Sequence, residues 1–323
     1  MAWRLRLAPV TTNIDFFRIA PVTFGASVLA VLATIVSLAV FGLNLGIDFR
    51  GGTTIRTEST QAVDVGVYRT ALGTLDLGDV SITEVFDPGF RADQHVAMIR
   101  IQAQDGVEAV TPETIAQVEA AMLAVDPAIT FPSVESVGPK VSSELIWQAL
   151  LAVAAGSVGI LIYVWVRFEW QFAVGTVAAL IHDVVVTVGV FSLFQLKFDL
   201  TIVAALLTIL GYSVNDTVVI FDRLRENLVK YKTMPLRDLL NFTANETLSR
   251  TLMTATTTLI ALTCLLILGG DVIRGFVFAM LFGVVIGTYS TLYVAKNIVL
   301  YLGVNREPKD KRDTGGEFAN IDA

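Results

Sequence analysis

The sequence has 323 residues, 54% of them hydrophobic and 16% charged, with a mean hydropathy of +0.66. These values exclude an ordinary soluble globular domain and indicate a polytopic membrane protein. The net charge of −7 at pH 7 gives no basic surface for nucleic acid, and the single cysteine, Cys264, excludes an internal disulfide framework.

A hydrocarbon core needs about 20 apolar residues per helix. From the N-terminus, six stretches meet that need, at roughly 21–43, 145–166, 172–194, 200–221, 252–269 and 276–302. Residues 1–20 precede the first span. That span is longer than a signal-peptide core and no small-residue cleavage site follows it, so it is expected to stay as an anchor.

The block 44–140 reads as a small folded domain. A β-prone run at 53–58 follows the pair Gly51-Gly52, and 61–75 has helical spacing in Val63, Val67, Ala71 and Leu75. Alternating strands are expected at 79–86 and 95–102, separated by the turn Asp87-Pro88-Gly89. Thr111-Pro112-Glu113 supplies a cap, a first-position proline and a first-turn acid for a helix through Ile115, Val118 and Met122. A strand at 129–137, interrupted by Pro132, closes the block. The order β-α-β-β-α-β is that of a ferredoxin-like unit, which by itself assigns no function. The net charge of −7 comes mostly from this block, which argues against nucleic-acid or anionic-lipid binding there.

Chemistry concentrates in the later spans. His182 and Asp183 lie halfway along the third, flanked by Thr176 and Thr187. In the fourth, Gly211-Tyr212-Ser213-Val214-Asn215-Asp216 places a carboxyl group at membrane depth, at a cost of roughly 2.5–3.5 kcal/mol or more, so a functional role is the default expectation. Tyr212 and Arg223 share the helical stripe of Asp216. The fifth span opens at Arg250 and carries Thr254, Thr256, Thr257 and Thr258. Carboxylate, imidazole and hydroxyl groups in series meet the needs of a proton relay from the cytoplasm to mid-membrane, with His182, Asp183, Asn215, Tyr212, Thr254, Thr257 and Thr258 as its candidate members. The alternatives are structural: Asp216 as a buried anchor, His182–Asp183 as an interhelical pair, and Arg223 and Arg250 as snorkelling anchors. The cytoplasmic loop at about 223–250 holds a helix from Pro235, read as interfacial and amphipathic. In the sixth span Gly275, Ala279, Gly283 and Gly287 form a close-packing face for another helix. No catalytic set, metal cluster or cofactor motif is expected.

Lys and Arg set the orientation. Arg4, Arg6, Arg18, Arg167, Arg223, Arg225, Lys230, Lys232, Arg237, Arg250 and the tail residues Lys296, Arg306, Lys309, Lys311 and Arg312 share one side if there are six spans. The two short loops opposite hold only Lys197 and Arg274. Both termini, including the tail 303–323, are therefore expected in the cytoplasm, with 44–140 on the far side.

Several motifs together resemble the SecF family, subunits of the bacterial SecD–SecF protein-export complex. They are Gly46-Ile47-Asp48-Phe49-Arg50-Gly51-Gly52, Val137-Gly138-Pro139-Lys140-Val141, His182-Asp183-Val184, the 211–216 motif running on through Phe221-Asp222-Arg223-Leu224-Arg225-Glu226-Asn227, Ser249-Arg250-Thr251, Gly269-Gly270 and Gly287-Thr288-Tyr289-Ser290. The resemblance covers nearly the whole chain and implies a half-unit of the resistance-nodulation-division architecture, paired with six helices of SecD in the cell inner membrane. It further implies a protein-transport role in the Sec pathway, in which the proton motive force assists export beside the SecYEG channel, with YajC as an accessory and preproteins and protons as what is moved. The family's proton-linked aspartate and its basic partner fall on Asp216 and Arg250. Its motif turn falls on Asp48, Phe49, Gly51 and Gly52, with Arg50 standing where many members have a small hydroxyl residue. Three rivals are a proton-coupled exporter of lipids or small molecules, a scaffold for SecD that transduces no energy, and an intramembrane aspartyl protease using Asp183 and Asp216.

Overall fold

The computed structural model describes residues 12–75, 77, 78, 80–102 and 110–304. Positions 1–11 of the N-terminal segment and the tail from 305 lie outside the described residues. The first helix, α1 (Ala20–Val40), begins at Ala20-Pro21, where a proline costs no hydrogen bond. A two-residue strand β1 (Asn44–Leu45) and a one-turn helix α2 (Ile47–Arg50) then lead into the α+β domain.

That domain runs β2 (Gly52–Ser59), α3 (Val65–Leu72), β3 (Val80–Val85), β4 (His95–Gln102), α4 (Pro112–Val125) and β5 (Thr130–Val137). Its antiparallel sheet has the order β3-β4-β2-β5, the ferredoxin-like arrangement expected from the element order. Ile82, Ile99, Ile55 and Val134 lie in register across it. Asp64 caps α3 and Thr111 caps α4, each accepting from backbone N–H groups of the first turn. The helices cover the sheet with Tyr68, Leu72, Val118 and Met122, which close a core around Ile55, Ile99 and Ile101. Pro132 does not break the last strand. It lies on the edge strand where the register against β2 shifts, a position that spares its missing N–H.

The membrane bundle follows as α5 (Pro139–Arg167), α6 (Trp170–Leu193), β6 (Lys197–Phe198), α7 (Leu200–Lys230), α8 (Leu236–Leu268) and α9 (Asp271–Ser290). A π-helical turn at Thr291–Ala295 joins α9 to α10 (Lys296–Leu302). Six helices, with the α9 to α10 run counted as one, are long and apolar enough to cross a membrane. In their apolar windows α6 and α7 are 56% and 50% buried, against 6% for α5 and 11% for α8, so the bundle is built around α6 and α7. These are the helices that carry Asp183 and Asp216.

One expectation is corrected. Residues 223–250 are not a loop with a separate interfacial helix: α7 continues to Lys230, the connection is confined to 231–235, and α8 is continuous from Leu236 to Leu268. No glycine or proline interrupts that stretch. The face read as interfacial, Leu236, Leu239, Leu240 and Thr243, instead packs inward: Leu239 and Leu240 are buried in the cluster that contains Leu224 of α7, Leu236 packs against it, and Thr243 is fully buried. Asn227 donates to Thr243 Oγ1 at 3.0 Å and to Glu246 Oε2 at 2.7 Å, tying this helical hairpin together.

Candidate functional site

The small residues of α9 determine how near α7 can come. A Cβ on Gly275 would stand 3.3 Å from Ile202 Cδ1, one on Gly287 3.1 Å from Ser213, and one on Gly283 would collide with Ile209. Ala279 is fully buried in the same cluster as Ile202 and Ile209. The close-packing face therefore meets α7 of the same chain, and this approach assembles the polar centre of the bundle.

Asp183 occupies that centre and has no solvent exposure. Its Oδ2 accepts from Ser213 Oγ of α7 at 2.7 Å and from Ser290 Oγ of α9 at 2.8 Å, while Oδ1 lies 3.1 Å from His182 Nδ1. Thr187 donates to the Asp183 carbonyl at 2.7 Å. Nearby, Thr217 and Thr291 share a hydrogen bond of 2.8 Å between α7 and the π-helical turn. Every oxygen of Asp183 has a partner, so this acid joins three elements.

Asp216 is different. It is 4% exposed, and its Oδ2 has no hydrogen-bond partner among the described residues. The favourable groups beside it are the Arg250 charge and the Thr254 hydroxyl. That hydroxyl is bonded back to the carbonyls of Arg250 and Thr251, at 3.2 and 3.0 Å. Arg250 is exposed and forms no ion pair within 4 Å among the described residues. It lines a half-open cavity of about 860 Å³ together with Arg167, Val219, Asp222, Arg223 and Glu246. Val219 is one helical step, i+3, from Asp216 and lies on the same side of α7. The other charges of the cavity are matched: Arg223 donates twice to Glu246, both at 2.8 Å, and Arg167 pairs with Asp222 at 3.3 Å.

The relay candidates are thus divided. Tyr212 reaches Thr258 at 3.4 Å, and Thr254 stands beside Asp216. Thr257 is exposed and bonds only to carbonyls of its own helix, and Asn215 is exposed on the outer side of α7. Arg223 is committed to glutamates, and Asp183 shares no hydrogen bond with Asp216. The sequence reading missed Ser213, Ser290, Thr217 and Thr291. Helical spacing was the available signal, since Ser213 precedes Asp216 by three and Ser290 follows Gly287 by three. Lys296 was placed among cytoplasmic tail charges, yet it is 1% exposed and its ammonium lies 4.5 and 4.3 Å from the ring centres of Phe16 and Phe17.

The motif turn lies at the other end of α7. Asp48 Oδ2 accepts from the Leu200 N–H at 3.1 Å, and Phe49 packs 6.0 Å from Phe198. Gly51 and Gly52 adopt φ of 76° and 131°, conformations that side chains rarely tolerate.

Comparison with known proteins matches two family models. Residues 117–305 fit the C-terminal region of protein export membrane protein SecD/SecF, and residues 36–63 fit the SecD/SecF GG motif. The chain is 72% identical over 324 residues to the protein translocase subunit SecF of Cereibacter sphaeroides, covering all of both chains. It is 39% identical to the SecF of Vibrio alginolyticus, over 95% of this chain and 96% of that one. Among solved structures, SecDF from Thermus thermophilus, a translocon-associated membrane protein, superposes with a TM-score of 0.79 at 33% identity, and SecDF in a super-membrane-facing form with 0.67 at 35%. The match covers 92% and 93% of this chain and 39% of each SecDF chain.

Proposed function

Because the chain belongs to the SecF family of protein translocase subunits, we propose that it pairs with a SecD partner and couples proton movement at Asp216 and Arg250 to the export of secretory proteins. The observation that carries this reading is the contrast between the two buried acids. A structural carboxylate in a membrane should have its oxygens bonded, as in Asp183; among the described residues Asp216 leaves one oxygen without a partner and has beside it, at a polar cavity, an arginine in no ion pair.

In this reading Asp216 alternates between a protonated form and an ionised form drawn toward Arg250, and α7 and α8 shift with each change. A charge crossing the membrane gains about 2.3 kcal/mol per 100 mV, roughly a 50-fold bias on a two-state equilibrium. The membrane is the bacterial inner membrane, with both termini and the 860 Å³ cavity facing the cytoplasm and the α+β domain in the periplasm. SecYEG, YajC and the translocating preprotein are the proposed partners there. The outer stripe of α7, with Thr208, Gly211 and Asn215 exposed at membrane depth, suits a helix of SecD.

The test is preprotein export in cells depleted of their own SecF and supplied with this chain. Asp216→Asn, at matched membrane level and with SecD bound, is expected to lose export. Full export by that variant contradicts the proposal.

A further inference from the structure

Beyond its direct continuation from β5 into α5 and the packing of α2 on α5, the α+β domain is bonded to the first turns of two further helices of the bundle. The first contact is at α7. Asp48 accepts from Leu200 N–H at 3.1 Å, the Gly46 N–H donates to the Phe198 carbonyl at 2.8 Å, and β1 pairs in parallel with β6. Arg100 of β4 is near enough to this contact to be attracted by Asp199, the N-cap of α7, and by Asp48. Burial pulls the pKa of Arg100 below its ordinary value, and the two acids oppose that shift. From Asp48 the chain passes through Gly51 and Gly52 straight into β2, a central strand of the sheet.

The second contact is at α9. The Phe86 N–H donates to Asp271 Oδ2 at 2.8 Å, and the Asp271 N–H returns a bond to the Phe86 carbonyl at 3.0 Å. The Asp87 side chain lies against Gly270, where a Cβ would displace its carboxylate. Asp271 is also held by Arg274.

Asp216 lies 16 residues beyond Leu200, about 24 Å down the same helix at 1.5 Å per residue. The two attachments therefore lie on either side of the α7–α9 seam. A domain attached to one helix would only follow it, whereas a domain attached to both must tilt when one helix slides past the other. We infer that Asp48 and the Phe86–Asp271 pair are the two linkages through which a shift of α7 against α9 becomes a tilt of the α+β domain. Asp48 and Asp271 are thus positioning residues, and the Asp-Phe-x-Gly-Gly turn is the joint between helix and sheet. This inference rests on the proton-coupled reading of Asp216.

The test uses the complex with SecD in proteoliposomes, otherwise free of cysteine, with Cys264→Ser and spin labels at Gln117→Cys on α4 and Phe194→Cys after α6. With Asp48 intact, Asp216→Asn, which mimics the protonated acid, is expected to shift the inter-label distance. In Asp48→Ala the same substitution is expected to produce no shift, and Asp48→Asn is expected to restore it, because the amide oxygen still accepts from Leu200. A shift that persists in Asp48→Ala overturns the inference and leaves the proton reading standing. So does an unmoved distance in a chain whose export Asp216→Asn still abolishes. Normal export by Asp216→Asn overturns both. If Asp48→Ala does not assemble, Asp271→Ala probes the second attachment: a broadened distance distribution supports the linkage, and an unchanged one overturns it.

Discussion

Two aspartates one helix apart show how surroundings set a residue's role. Asp183 is fully buried and bonded by His182, Ser213 and Ser290, so its removal strands three polar groups in the bundle. At about 0.6 kcal/mol for each interhelical bond in a membrane, loss of the bonds to Ser213 and Ser290 in Asp183→Ala is expected to lower stability by about 1 kcal/mol, read as a drop in the thermal unfolding midpoint of the detergent-solubilised complex. Asp216→Asn removes no hydrogen bond at Oδ2 and is expected to leave that midpoint within about 0.5 kcal/mol of the parent, the usual range for a substitution that breaks no structural feature. Both acids stood out in the sequence, because a carboxyl in an apolar run is rare. Their division of labour did not, since serines such as Ser213 and Ser290 are ordinary in such runs and only helix packing brings them to Asp183.

At the scale of elements, the α7–α9 seam depends on glycine. A Cβ on Gly283 would meet Ile209, so Gly283→Val is expected to cost about 1–3 kcal/mol by overpacking, and the additional change Ile209→Ala to recover part of it. A double-mutant cycle on the unfolding midpoint measures that coupling. The spacing of Gly275, Ala279, Gly283 and Gly287 announced a helix partner but not which helix. The hairpin of α7 and α8 was misread for a related reason: an apolar stripe such as Leu236, Leu239 and Leu240 has the same period whether it lies on lipid or on another helix. The Gly46–Phe198 bond and one of the two Phe86–Asp271 bonds join main-chain groups, which every residue possesses, so they leave no mark in the sequence.

Across the whole molecule, the spans and the ferredoxin-like domain were legible because length, apolar runs and turn residues all agreed. The outer surface carries a different message. Thr208, Gly211 and Asn215 form a small and polar stripe exposed on α7, although the other side of that helix is packed against α6 and α9. With SecD bound, a cysteine at Asn215 in the Cys264→Ser chain is expected to cross-link to a cysteine on the partner's membrane helices, whereas one at Ile35 on the outer side of α1 is expected not to. Equal cross-linking from both positions contradicts the proposed pairing face.

The most direct test of the central claim is proton flux into proteoliposomes containing this chain and its SecD partner, compared between the parent, Asp216→Asn and Arg250→Gln under an imposed membrane potential. The account predicts flux in the parent, its loss in Asp216→Asn and a strong reduction in Arg250→Gln, with all three complexes intact. Undiminished flux in Asp216→Asn contradicts it and leaves Asp216 a buried acid with no part in energy coupling.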